Sequence, residues 1–345
     1  VDEGAFGRAA QERAIAEAEA EMARLCELLA EGMAMGVDEG REMVGGAMSE
    51  FLVEFFDLVR AEGSRPAVRG VVALPLLVHG AETGEPGPAM PAAVLHLLWW
   101  ASARYLDGLA DPSGAPAPAA GGKVLTAVAV GGQLPGRLIA GLPVGPAVRA
   151  ALADELSRAW VDAVDGRLRG LAGRPSNATR ASVLRGYEGG TGAPYAMAAA
   201  SAARLAGAGD RRTAGWRAYG RALGVLRRLA DDQRDLAAGR HEDLAGGTAT
   251  YPLVHLLAEL PPARRREALA LHASARHSAS ARAELASWML DEEVAESYAA
   301  SVAPLADRAH GLLDMLGGDP GHLRELRRLV DGTVGRPPGH RLAVA

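Results

Sequence analysis

The sequence predicts an all-helical protein, and three observations carry that expectation. Alanine and leucine dominate while aromatic residues make up only 4% of 345 residues, a balance that favours helix over sheet. Apolar residues recur at three- and four-residue spacing through most of the chain, with no alternating run long enough to build a sheet. Proline and glycine fall at the junctions between the periodic segments. The expected architecture is a single helical-bundle domain spanning residues 1–345.

The elements follow in order. Residues 8–34 bring Ile15, Met22, Leu25 and Leu29 to one side, which makes the first 40 residues or so an N-terminal helix. A second helix over 41–62 carries Met43, Met48, Phe51, Phe55 and Leu58, and Gly63-Ser64-Arg65-Pro66 ends it. Pro91 stands near the start of a helix holding Trp99, Trp100 and Asp107, and the Pro/Ala/Gly-rich stretch Pro112–Gly122 reads as a mobile loop. Further helices are expected at 124–140, 146–171, 178–206, 211–238, 250–258, 262–275, 279–316 and 320–333.

Charge and cysteine content exclude several classes of function. The net charge is −5, and Lys123 is the only lysine among 37 basic residues. No basic run interleaved with aromatics is present, so nucleic acid is not an expected partner. Cys26 is the only cysteine, which rules out an intrachain disulfide and leads to the expectation of a cytoplasmic setting. No uncharged apolar run reaches transmembrane length and no signal peptide is visible, so membrane insertion is not expected either.

The most informative segment is Leu229-Ala-Asp231-Asp232-Gln-Arg-Asp235. Residues four apart share a helical face, so Asp231 and Asp235 stand together while Asp232 points more sideways. Trp216, Tyr219, Leu223, Leu226 and Ala230 form an apolar stripe running into this cluster, which argues against a wholly solvated face. Buried carboxylates need a compensating cation, and hard oxygen donors suit Mg²⁺. Asp107 and Asp111 form a second pair at the same spacing near a helix C-terminus, where the macrodipole disfavours negative charge. Two such pairs can clamp a diphosphate through Mg²⁺ and ease ionisation of its carbon–oxygen bond. His96 reads as a hydrogen-bonded helix residue, and the nine histidines show no paired metal-ligand spacing. The Gly-rich pieces at 121–123 and 189–192 follow no strand, so they are not read as phosphate loops.

These residues, in this order, resemble the trans-isoprenyl diphosphate synthase family and the class I terpene synthases that share its fold. Gly63-Ser64-Arg65-Pro66 resembles the family's GGKRxRP opening, Leu97–Asp111 the helix with the first aspartate motif, and Gly190-Thr191-Gly192-Ala193 the KTGA segment. Asp231–Asp235, Asp243-Leu244 and Gly247-Thr-Ala-Thr-Tyr-Pro-Leu253 resemble the second aspartate motif and its DLxxGKxTLPL tail, and Ala299–Arg336 follows the terminal helices. The resemblance implies an all-α isoprenoid synthase fold around a central cavity and an allylic prenyl diphosphate substrate. It also implies a homodimer, and three Mg²⁺ ions assembled with the diphosphate. Asp107, Asp111, Asp231 and Asp235 would hold metal with Asp232 in support, and Arg65, Lys123, Thr191, Arg228, Arg234 and Arg240 would meet the diphosphate.

The departures from the family pattern are systematic. Gly108 replaces the second aspartate of the first motif, and the arginine pair after that motif is absent. Ser64, Gly190 and Thr248 stand where the family has lysines, and Arg228 stands where it has glutamine. In elongating members the first of those lysines and the arginine pair hold isopentenyl diphosphate, because a multiply charged anion in a cleft needs cationic partners. The expectation is therefore a class I terpene synthase that ionises an allylic diphosphate without adding isopentenyl diphosphate. Its alternatives are a prenyl diphosphate synthase or other prenyltransferase, and a non-catalytic regulatory subunit of a prenyl synthase. Ser102 and Ala103, one turn deeper than Asp107, would let a prenyl tail pass. Trp99 lies about 12 Å from Asp107 along the axis, a depth that suits fifteen to twenty carbons. Trp99 or Trp100 could face a carbocation with its ring.

Overall fold

The structure, a computed structural model, describes residues 66–108, 124 and 128–334. The helices expected over 8–34 and 41–62, and the Pro112–Gly122 loop, lie outside the described residues. Among the described residues no strand occurs, and no helix is long and apolar enough to cross a membrane. In chain order the helices are α1 (Pro66–Thr83), α2 (Met90–Gly108), α3 (Leu134–Gly141), α4 (Pro146–Ala172), α5 (Arg180–Tyr187) and α6 (Ala193–Leu205). They continue as α7 (Asp210–Ala237), α8 (Glu242–Gly246), α9 (Tyr251–Glu259), α10 (Pro262–Ala275), α11 (Ala279–Met289), α12 (Glu292–Leu316) and α13 (Pro320–Val334).

Helix α8 was not among the expected helices, and two larger differences follow. Helix α1 was not expected, because Val71–Val78 is one unbroken apolar run with Pro75 inside it, a pattern without helical period. The run is buried throughout, as a helix surrounded by core must be. The helix expected over 279–316 is broken after Met289. There the Asp291 carboxylate accepts from the Glu293 N–H at 3.1 Å, and Glu292 and Glu293 fill the first turn of α12. Aspartate with acidic residues behind it is a helix start, and that local signal overrides the apolar periodicity running across it.

The described residues group into two compact units. The first comprises the described part of Val1–Arg158 with Met197–Arg217 and Leu316–Leu326. Its core is α1 against α2, joined by a hydrogen bond with a local cause. Pro75 has no N–H, so the Val71 carbonyl four residues earlier loses its helical donor. His96, 1% exposed, fills that position with Nδ1 2.8 Å from the Val71 oxygen, which agrees with its reading as a hydrogen-bonded helix residue. Glu82, near the end of α1, accepts both Arg212 Nε at 3.0 Å and Trp216 Nε1 at 2.5 Å. Glu155 on α4 is buried, and Arg217 grips it through two nitrogens, with Nε to Oε2 at 2.9 Å. Removing one partner of such a pair strands a buried charge. Arg217→Met is expected to cost about 3 kcal/mol of stability in urea titrations, with a much smaller loss when Glu155→Leu accompanies it.

The second unit comprises Ala159–Ala196, Ala218–Met315 and the described part of Arg327–Ala345. Glycines set its spacing. A methyl on Gly189 would meet the Asp162 carbonyl at 2.4 Å, one on Gly166 the Gly190 nitrogen at 2.6 Å, and one on Gly224 the Thr191 carbonyl at 2.6 Å. Helices α4 and α7 thus both press backbone-close onto the segment Glu188–Gly192, which joins α5 to α6 as a single π-helical turn. Arg221 on α7 adds an ion pair to Asp162 on α4 at 2.6 Å. Only glycine permits such approaches. Gly224→Ala is expected to destabilise by about 1–3 kcal/mol through overpacking. Gly190, whose methyl would meet nothing within 4 Å, is expected to accept alanine without loss in the same chemical-denaturation assay.

Helix α9 contributes a buried histidine to this unit. His255 is 1% exposed, neither ring nitrogen has a hydrogen-bond partner, and the ring stacks on Tyr251 and meets Tyr298 edge-on. Burial holds its pKa below the usual imidazole range, with the Arg180 guanidinium adding to the effect and the Glu259 carboxylate opposing it. The unfolded chain therefore takes up this proton first, as pH falls through about 6.5. The contribution to stability is complete above that pH and is lost below it. His255→Phe is expected to flatten the fall in unfolding free energy between about pH 7 and pH 5, measured by denaturant titration across the range.

Candidate functional site: the acidic end of helix α7

Helix α7 positions the site through its rotational phase. Trp216, Tyr219, Leu223 and Leu226 are fully buried, and the stripe continues through Leu229, Asp232 and Leu236. Asp232 thus occupies a core position while Asp231 and Asp235 turn outward, their side chains 45% and 48% exposed. The three carboxylates are therefore not buried together, and only Asp232 is internal. Each is met by its own arginine. Arg234 pairs with Asp231, Arg228 Nε lies 2.9 Å from Asp232, and Arg240 Nη2 lies 2.5 Å from Asp235. The last pair depends on the helix end. Gly239, at φ 72°, reverses the chain in a left-handed turn, and the Arg240 N–H donates to the Asp235 carbonyl at 2.9 Å.

Around Asp232 lies a buried polar network that sequence reasoning did not find. Tyr187, the last residue of α5, donates its hydroxyl hydrogen to Asp232 Oδ2. The same hydroxyl accepts the Tyr251 N–H at 3.0 Å, at the start of α9. Arg228 spans from Asp232 to Asp243, with Nη2 3.2 Å from the Asp243 carboxylate, and its guanidinium lies 5.5 Å from the Tyr187 ring centre. Tyr298 on α12 donates to the Leu229 carbonyl at 3.2 Å. Burial pushes the Asp232 carboxyl up to about 7, against the pull of Arg228 and the Tyr187 hydroxyl. Burial also raises Asp231, with Arg234 and Arg227 opposing it. The Tyr187 phenol is held well above its ordinary range by burial and by the Asp232 charge.

The other sequence-derived positions fall as follows. Arg228 is engaged by Asp232 and Asp243, whereas Arg234 and Arg240 keep more than half of their side chains in solvent. Thr191 sits in the π-helical turn, its carbonyl pressed against Gly224. In the first unit, Trp99 and Ser102 on α2 are buried at 6% and 3% exposure, and Trp100 and Ala103 are half-buried. Asp107 lies near the end of α2, with its side chain outside the described residues, as are Arg65, Asp111 and Lys123 altogether.

Among the described residues no three acidic, histidine or cysteine side chains converge as a metal site. The donor set still fits Mg²⁺, because that ion commonly takes only one or two protein carboxylates and completes its octahedron with water and substrate phosphate. Asp231 and Asp235, outward and on one face, are such a pair.

No protein-family model matches the chain, and a search of curated protein sequences finds no match. Solved structures do match. A polyprenyl synthase from Caulobacter crescentus, solved with calcium and isoprenyl diphosphate, has a TM-score of 0.72 at 20% identity, covering 94% of this chain and 98% of its own. A geranylgeranyl pyrophosphate synthase from Lactobacillus brevis has a TM-score of 0.71 at 15% identity, covering 94% and 97%. A polyprenyl synthetase from Streptomyces coelicolor has a TM-score of 0.67 at 19% identity, covering 84% and 99%. The chain has the all-α fold of the trans-isoprenyl diphosphate synthases.

Proposed function

We propose that the chain is a Mg²⁺-dependent enzyme that binds and ionises an allylic prenyl diphosphate and transfers the prenyl group to an acceptor. The observation that carries this reading is the outward Asp231/Asp235 pair in a fold shared with a synthase solved with calcium and isoprenyl diphosphate. When bound, Mg²⁺ supplies charge neutralisation at the leaving diphosphate. Asp231 and Asp235 provide its oxygen ligands, Arg234 and Arg240 donate to diphosphate oxygens, and Asp232 stays inward as a support. Asp107 and Asp111 join the proposal from their sequence spacing alone.

Prenyl transfer is placed ahead of the cyclisation expected from sequence, because the similar structures named above are all prenyl synthases or synthetases. Ionisation without isopentenyl diphosphate stays as the second reading on one observation. Ser64 and the arginine-free stretch Pro112–Gly122 lack the lysine and arginine pair that hold isopentenyl diphosphate in elongating members of the resembled family.

Purified protein would be incubated with Mg²⁺ and geranyl, farnesyl or geranylgeranyl diphosphate, with and without isopentenyl diphosphate, and the products read by mass spectrometry. A longer diphosphate formed only with isopentenyl diphosphate supports chain elongation, and a hydrocarbon or alcohol formed without it supports the second reading. Asp231→Ala is expected to cut turnover on the order of a hundredfold or more, given the several kcal/mol of charge stabilisation at stake. Silence in every tube, unchanged by Asp231→Ala, would favour a non-catalytic subunit.

A further inference from the structure

The geometry points to Tyr187 as the positioning residue of the acidic helix: its hydroxyl holds Asp232 in the core and thereby fixes the outward aim of Asp231 and Asp235. This assignment rests on the function proposed above for those two carboxylates.

The hydroxyl is placed to do this from three directions. It donates to Asp232 Oδ2 on α7, accepts the Tyr251 N–H of α9 at 3.0 Å, and belongs to the last residue of α5. Asp232 is 4% exposed, and its other oxygen has Arg228 Nε at 2.9 Å without a well-directed hydrogen bond. The Tyr187 hydroxyl therefore supplies the directed hydrogen bond that a buried carboxylate needs at this position. The Tyr251 N–H is one of the unpaired donors that every helix start leaves, and Tyr187 is its acceptor.

The tyrosine is itself held rigidly. Immediately after it, the π-helical turn Glu188–Gly192 lies against α4 at Gly166 and against α7 at Gly224. Gly224 and Asp231 are two turns apart on α7, so the same helix is fixed from below by backbone packing and from beside by Tyr187. Rotating α7 enough to bring Asp231 inward would break the hydroxyl contact and drive Gly224 out of its fit.

Groups that orient a metal ligand commonly change metal affinity by 10–100-fold when removed, and here the orientation acts through one turn of helix. Tyr187→Phe deletes the hydroxyl and keeps the ring, including its cation–π contact with Arg228. Two readouts on the full chain test the assignment. The first is hydrogen exchange of the Leu229–Ala237 segment without ligands, expected about tenfold faster in Tyr187→Phe while distant helices exchange as before. The second is Mg²⁺-dependent binding of inorganic diphosphate by calorimetry, expected about tenfold weaker. Unchanged exchange of that segment overturns the assignment, as does faster exchange spread evenly over all helices, which would mark Tyr187 as generally structural. If the unsubstituted protein binds no diphosphate, the functional proposal fails while the exchange experiment still decides the role of Tyr187.

Discussion

Everything at the candidate site depends on the rotational phase of one helix. Successive residues of α7 are offset by about 100°, so three aspartates within five residues cannot share an environment. The stripe from Trp216 to Leu226 is wholly buried and sets the phase, and its continuation places Asp232 where an apolar residue would ordinarily stand. Burying a carboxylate there costs free energy, and Arg228 and Tyr187 offset it, while the Asp243 carboxylate holds the far side of Arg228. The return for that cost is orientation. With Asp232 locked in, Asp231 and Asp235 have one direction left to face.

The arginines have distinct tasks that composition alone hides. Arg228 lies inside the network and is committed to two carboxylates. Arg234 and Arg240 form pairs with partners about half exposed, and such pairs are worth only about 0–1 kcal/mol. They can exchange a carboxylate for a phosphate oxygen at little cost. Arg228 cannot, because leaving Asp232 would strand a buried charge. Of the arginines named from sequence that lie among the described residues, the two on the exposed side are the ones placed to meet an anion.

The fold class and the shared face of Asp231 and Asp235 were legible in the sequence because both depend on short-range periodicity, whereas the sequence read all three aspartates as buried and only Asp232 is. The resemblance to prenyl synthases likewise pointed to a fold that the structural matches share. Tyr187 was not legible. Its partners Asp232 and Tyr251 lie 45 and 64 residues away, and no local pattern marks a tyrosine whose hydroxyl is needed elsewhere. Helix α1 escaped for a related reason. A helix buried on all sides has no amphipathic period, and its internal proline is tolerated because His96, 25 residues on, bonds the Val71 carbonyl. The break at Asp291 is written in the sequence as a helix start, and in the structure that local signal prevails over the longer apolar pattern around it.

The charge of the acidic segment bears on how a diphosphate could be received. Between residues 227 and 243 stand the carboxylates of Asp231, Asp232, Asp235, Glu242 and Asp243, and the guanidiniums of Arg227, Arg228, Arg234 and Arg240. The segment is therefore slightly negative even with every arginine counted, and Arg228 is not available to a ligand. A multiply charged diphosphate approaching Asp231 and Asp235 would meet repulsion from carboxylates whose deprotonated form is already penalised at Asp231. Mg²⁺ held by Asp231 and Asp235, as proposed above, would reverse the sign of that encounter by neutralising the negative charge on both sides. Gly190 and Thr248 carry no charge, and the cations at this end are arginines with partners already, Arg228 on Asp232 and Arg276 on the Gly246 carbonyl. Under the proposed function, affinity for a diphosphate is therefore expected to follow the metal.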